Sequence, residues 1–199
     1  MLSYPSIPSY KQSIIGEPCI AFYKYDGSNL RWEWSPKKGW YKYGTRTQLF
    51  DHTAVPYAQA IPIFQDTMGA EIAQRVKDEE GRKVERIVAF TEFFGPTSFA
   101  GWHDEKEQKQ LVLFDVSTYK KGFYSAKKFV EMFSDLPYAA KVVYQGNMNY
   151  PFINDVRNGK YPVVEGVICK GYDWTAKIKT LAYLDRLKNR YGNEWEKYE

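Results

Sequence analysis

The chain has 199 residues, with 28 basic and 24 acidic side chains, a net charge of +4, 44% hydrophobic and 26% charged residues. That length holds one domain of ordinary size, expected over 1–199, and excludes a second large one. No apolar run approaches the ~20 residues of a membrane span, and the slight positive excess permits a nucleic-acid partner without demanding one.

The opening, Met1-Leu2-Ser3-Tyr4-Pro5, has neither the basic flank nor the apolar core of a secretory signal, so a cytoplasmic location is the expectation. An apolar run over 19–25 predicts a buried strand that delivers Lys24 to its end. On an extended segment residues i and i+2 share a side, so Lys24 and Asp26 are expected on one face. Gly27 then permits a tight turn that leaves the lysine open to a bulky ligand. Residues 30–34 and 40–43 alternate apolar with polar around Ser35-Pro36-Lys37-Lys38-Gly39, which predicts a hairpin, and Arg46 follows on a short polar connection.

From about Ala54 to Glu80 the pattern turns helical, with Ile72, Ala73 and Val76 on one side, closed by a charged turn through Asp78-Glu79-Glu80-Gly81-Arg82-Lys83. Strands are predicted at Val84–Phe90, Gln110–Val116, around Val142–Tyr144, at Val163–Lys170 and at Trp174–Lys179. Helices are predicted after Ser125 as an N-cap through Phe133, and from Phe152 to Arg157. Leu181, Leu184, Leu187 and Tyr191 recur at three- and four-residue intervals, marking a terminal amphipathic helix over 181–198. Cys19 and Cys169 lie in apolar runs and read as buried reduced thiols. With only His52 and His103 besides, no zinc-type spacing exists, and any metal must take oxygen ligands.

Charged residues interrupt these apolar strands at Lys24, Asp26, Glu92, Asp115, Glu165, Lys177 and Lys179. Burying charge is costly unless it is paired or coordinated, so seven such residues of both signs point to one shared electrostatic site. The bland reading of Glu92 or Asp115 is an ion pair at a sheet edge. In Ala176-Lys177-Ile178-Lys179 the alternation puts both lysines on one face, a poor surface for core packing and a good one for phosphate.

The ordered set Lys24-Tyr25-Asp26-Gly27-Ser28-Asn29, Thr91-Glu92-Phe93-Phe94-Gly95, Leu113-Phe114-Asp115, Glu165-Gly166-Val167-Ile168-Cys169-Lys170 and Ala176-Lys177-Ile178-Lys179 resembles the successive motifs of the covalent nucleotidyltransferase superfamily of ligases and capping enzymes. Asn29, and Arg46 behind the lysine motif, make it most similar to the phage-type RNA ligase 2 family. The resemblance implies an α+β, ATP-grasp-like ligase adenylation domain, two antiparallel sheets with flanking helices around a nucleotide cleft. It implies that Lys24 attacks the α-phosphate of ATP to form lysyl-AMP, with Asp26, Glu165, Lys177 and Lys179 as its catalytic companions. Tyr23, Asn29, Arg46, Glu92 and Phe114 would contact the nucleotide, Phe114 by stacking on adenine. Asp26, Glu92 and Glu165 would orient Mg²⁺ or Mn²⁺, partly through water.

AMP would then pass to the 5′-phosphate of an RNA end or nicked RNA duplex, and a 3′-hydroxyl would displace it. The family continues into a further C-terminal domain, whereas this sequence runs about twenty residues past Lys179, so an accessory protein is an expected partner. A minimal DNA ligase, a guanylyltransferase and a nucleotide- or RNA-binding module that has lost ligation are the alternatives. No Gly-x-x-x-x-Gly-Lys-[Ser/Thr] segment occurs, which excludes a P-loop NTPase.

Overall fold

The computed structural model describes residues 1–81 and 84–198, so Arg82 and Lys83 of the expected charged turn lie outside the described residues. The chain divides into two compact units, Met1–Pro5 with Gly27–Ala140, and Ser6–Asp26 with Lys141–Glu199.

The first unit is built on β2 (Ser28–Ser35), β3 (Gly39–Thr45), β4 (Leu49–Phe50), β5 (Ile87–Phe94), β6 (Gln110–Thr118) and β7 (Gly122–Phe123), with β1 (Pro18–Lys24) belonging to the other unit. Its sheet has the order β4-β3-β2-β5-β6-β7, antiparallel throughout. The β2–β3 hairpin forms as the alternation predicts, and Gly39 at its turn takes φ +63°, where a β-carbon would be strained. Leu30 and Trp32 point into the core, where Trp32 stacks on Phe64 at 4.2 Å and donates from Nε1 to Thr91 Oγ1 at 2.9 Å.

The helical stretch runs through a 3-10 turn (Tyr57–Gln59), α1 (Ala60–Phe64), a π-helical turn (Gln65–Gly69) and α2 (Ala70–Glu80). Ile61, Phe64, Met68, Ile72 and Val76 supply its buried stripe, and the Gly69 carbonyl accepts from Trp40 Nε1 at 2.7 Å. Ser125 caps α3 (Ala126–Phe133), its Oγ accepting from Lys128 N at 3.2 Å. One boundary moves. The strand expected at Val84–Phe90 is β5 at Ile87–Phe94, because pairing with β2, from Trp34↔Ile87 to Ser28↔Phe93, fixes its span and carries Glu92 into the sheet.

The second unit holds a four-stranded antiparallel sheet of β10 (Thr175–Lys179), β9 (Gly166–Lys170), β1 and β8 (Val142–Asn147), in the order β10-β9-β1-β8. Cys19, Ala21, Val167, Cys169 and Ile178 on one face pack with Met148 and with Phe152, Ile153 and Val156 of α4 (Tyr150–Arg157). Both cysteines are free and buried, as their apolar settings imply. Asn149 caps α4 by accepting from Phe152 N at 2.8 Å. Thr180 likewise caps α5 (Leu181–Tyr191), accepting from Tyr183 N at 3.1 Å, and the expected helix to 198 continues as a 3-10 segment over Gly192–Tyr198. The strand expected from Val163 starts at Gly166. Val163 is buried in the core, but the ladder begins only where Gly166 meets Lys24 and Lys179. Among the described residues, no helix is long and apolar enough to cross a membrane.

Candidate active site

Three strands of the second unit set the geometry. In the ladder Lys24 pairs with Gly166, and Gly166 with Lys179. Residues directly opposite share a face, so the two lysines flank a position that has no side chain. Gly166 is compelled there: its φ is +152°, and a β-carbon would run into the Ile178 carbonyl oxygen. The preceding residue, Glu165, places Oε1 2.8 Å from Lys24 Nζ and 3.1 Å from Lys179 Nζ. The Glu165 and Lys179 side chains are each 4% exposed, while Lys24 keeps 23%. Two ammonium groups are thus held on one carboxylate oxygen, with Lys24 the more accessible.

Lys177 lies two residues before Lys179, on the same face by the period of the strand, opposite Ile168 and half-buried. Its backbone N–H donates to Pro8 O at 2.8 Å. Lys179 Nζ also sits 4.9 Å from the Tyr183 ring centroid, a favourable cation–π placement. A fourth lysine, Lys170, shares this face and is 7% exposed, its Nζ 5.4 Å from the Phe22 ring centroid. The sequence reading gave it no role, although its even number within β9, in step with Ile168 and Gly166, was the signal.

The other expected residues divide between the units. Asp26 is half-buried beyond the end of β1. The strand alternation that was to place it beside Lys24 stops at Lys24. Tyr23 is not brought to the lysine group: it is on the opposite face of β1, packed against the core, with its hydroxyl accepting from Val164 N at 3.3 Å. In the first unit Asn29 pairs directly with Glu92 across β2 and β5, both half-buried, and Asn29 Oδ1 is a buried acceptor with no hydrogen-bond donor. Arg46 is exposed, one step beyond the Leu30↔Thr45 pair toward Asn29.

Phe114 sits at a β-bulge. Phe90 pairs with Asp115 and Thr91 with Leu113, so Phe114 is the extra residue that β5 leaves unopposed. Asp115 is buried and accepts from the Tyr4 hydroxyl at 2.9 Å. Among the described residues no group of three or more His, Cys, Asp or Glu side chains is gathered to hold a metal ion.

Sequence reading also passed over the contact that secures the turn after the lysine motif. A β-carbon on Gly27 would strike the Phe93 carbonyl, and Ser28 Oγ lies 2.8 Å from His103 Nε2. The imidazole packs on Phe93 at 5.2 Å and on Tyr57 at 6.0 Å. Burial, then the nearby Lys109 charge, push its pKa down to about 4 against a weaker opposing pull from Glu107, so it is neutral at ordinary pH.

No family model and no curated protein matches the chain. Solved structures of Naegleria gruberi RNA ligase do. A mutant of it with ATP and Mn gives a TM-score of 0.67 at 14% identity, covering 95% of this chain and 59% of that one. The same ligase with PPi gives 0.66 at 14% identity, covering 96% and 59%, and an apo mutant gives 0.64 at 12%, covering 92% and 59%. This chain therefore spans about three fifths of the length of those ligase chains. At such identity the likeness is one of fold: an α+β chain with two antiparallel sheets and flanking helices.

Proposed function

We propose that this chain is the adenylyltransferase part of an ATP-dependent RNA ligase, of the covalent nucleotidyltransferase superfamily and of the phage RNA ligase 2 type. The observation that carries the reading is Glu165 Oε1 bridging the ammonium groups of Lys24 and Lys179. A carboxylate at 2.8 Å from the nucleophile is within proton-transfer reach of it. Neutral Lys24 then attacks the α-phosphorus of ATP. A P–N bond forms, the bond to the bridging oxygen breaks, and pyrophosphate leaves. Lys179 and Lys177 stabilise the charge that builds on the phosphate oxygens.

The 5′-phosphate of an RNA end next displaces Lys24 from AMP, and a 3′-hydroxyl displaces AMP to join the strands. Asn29, Glu92, Arg46 and Phe114 supply the contacts to sugar, phosphate and base. Of the carboxylates read as metal ligands, Asp26 and Glu165 belong to the second unit and Glu92 to the first; an Mg²⁺ or Mn²⁺ ion held by Asp26 or Glu165 would take most of its ligands from water and phosphate and would neutralise phosphate charge. Likeness in fold to a ligase whose structures carry ATP, AMP and Mn supports this reading. The grip on the RNA is assigned to a further domain or an accessory protein.

Purified protein incubated with α-labelled ATP and magnesium should retain label, and Lys24→Ala should retain none. Label from GTP in place of ATP would give the guanylyltransferase instead. Nicked duplexes with ribose at the 3′-hydroxyl side should be sealed in preference to those with deoxyribose; the reverse preference would make it a DNA ligase.

A further inference from the structure

Tyr4 is 5% exposed and belongs to the first unit, although residues 6–26 that follow it belong to the second. Its ring stands edge-on to Phe114 at 5.0 Å and 90°, and lies 5.1 Å from Phe90 and 5.3 Å from Phe123. Its hydroxyl donates to Asp115 Oδ2 at 2.9 Å, while Asp115 Oδ1 accepts from Val116 N at 2.9 Å. Adjacent residues of a regular strand point to opposite faces. Tyr4 nonetheless touches both Phe114 and Asp115, because the bulge at Phe114 breaks the alternation and turns the two toward one side. Burial, followed by the charge of Asp115 and the hydrogen bond to it, raises the phenol well above its ordinary range, so the hydroxyl stays a donor at any working pH.

We propose that Tyr4 is a positioning residue for the nucleobase: anchored on Asp115, it fixes the ring of Phe114 edge-on and so sets the aromatic surface on which the purine stacks. This rests on the reading above that Phe114 takes the base, and it extends the site to a segment that carries none of the motifs. Phe114 is half-buried and Tyr4 fully so, which suits one ring to a ligand and the other to holding it. A T-shaped pair resists rotation of either ring, and the bond from phenol to carboxylate is of the stronger, charge-assisted kind.

The test is single-turnover adenylylation across ATP concentrations for wild type, Tyr4→Phe, Phe114→Leu and the double variant, with the ATP-to-GTP preference measured for each. Tyr4→Phe should raise the half-saturating ATP concentration about five- to tenfold, the loss of one hydrogen bond, while the maximal rate changes less than about twofold. The preference for ATP should fall with it, and the change should add nothing in the Phe114→Leu background. Tyr4→Leu, which removes the ring, should shift the same constant further. Half-saturation and base preference unchanged in Tyr4→Phe, or a loss of maximal rate alone that tracks a lowered melting temperature, would overturn the proposal and leave Tyr4 a core residue. Wild-type protein that takes up no AMP would instead overturn the ligase reading, and the positioning role with it.

Discussion

Replacing Glu165 with Ala leaves Lys24 and Lys179 on either side of Gly166 with their shared acceptor gone. Stripping one partner from a buried ionic group costs about 3–5 kcal/mol, and the partial exposure of Lys24 lets water recover some of that. Glu165→Ala should therefore lower stability by about 2–4 kcal/mol in a denaturant titration, and Glu165→Gln, which still accepts one hydrogen bond, by less than half as much. Both should lose AMP uptake, so the pair separates stability from chemistry. At this scale the sequence showed the charges well. Lys24, Glu165, Lys177 and Lys179 interrupt apolar strands, and a buried charge announces a partner. It showed neither which charges pair nor the role of Tyr4, because Tyr4–Asp115 spans 111 positions and rests on a bulge that no local pattern marks.

Elements met their expectations where the pattern is local and missed them where long-range pairing decides. The β2–β3 hairpin, α3 with its Ser125 cap and α4 ending near Gly159 are written in short windows of alternation, caps and turns. The starts of β5 and β9 are set by partners far along the chain, so Val84 and Val163 read as strand residues while lying outside the ladders. Gly166→Ala tests the claim that the β9 start is a shaped position: the strained φ and the collision with Ile178 O should cost more than about 2 kcal/mol and abolish AMP transfer.

The Gly95–Lys109 connection gives a pH prediction. His103 titrates near 4 when folded, pushed down by burial and by Lys109, and near ~6.5 when unfolded. The unfolded chain binds the extra proton, so the contribution is complete above ~6.5 and is lost as pH falls from ~6.5 toward 4. The denaturation midpoint should decline over that window, and His103→Gln, which can still hydrogen-bond Ser28, should flatten that segment of the profile.

For the whole molecule, the α+β class with two antiparallel sheets, expected from the order of the motifs and the family they resemble, is the one the chain forms. The division into two units was not. The first unit takes five residues from before β1 and the second takes β1 itself, an interleaving that composition does not record. Function at this scale reduces to whether one amine becomes a covalent carrier of AMP. Tandem mass spectrometry of peptides from protein incubated with ATP and magnesium, digested at neutral to alkaline pH where a P–N bond survives, reads this directly. AMP on Lys24, and its absence when Glu165 or Lys179 is replaced, is the expected result; an unmodified Lys24, or AMP on Lys177 or Lys179 instead, would contradict it.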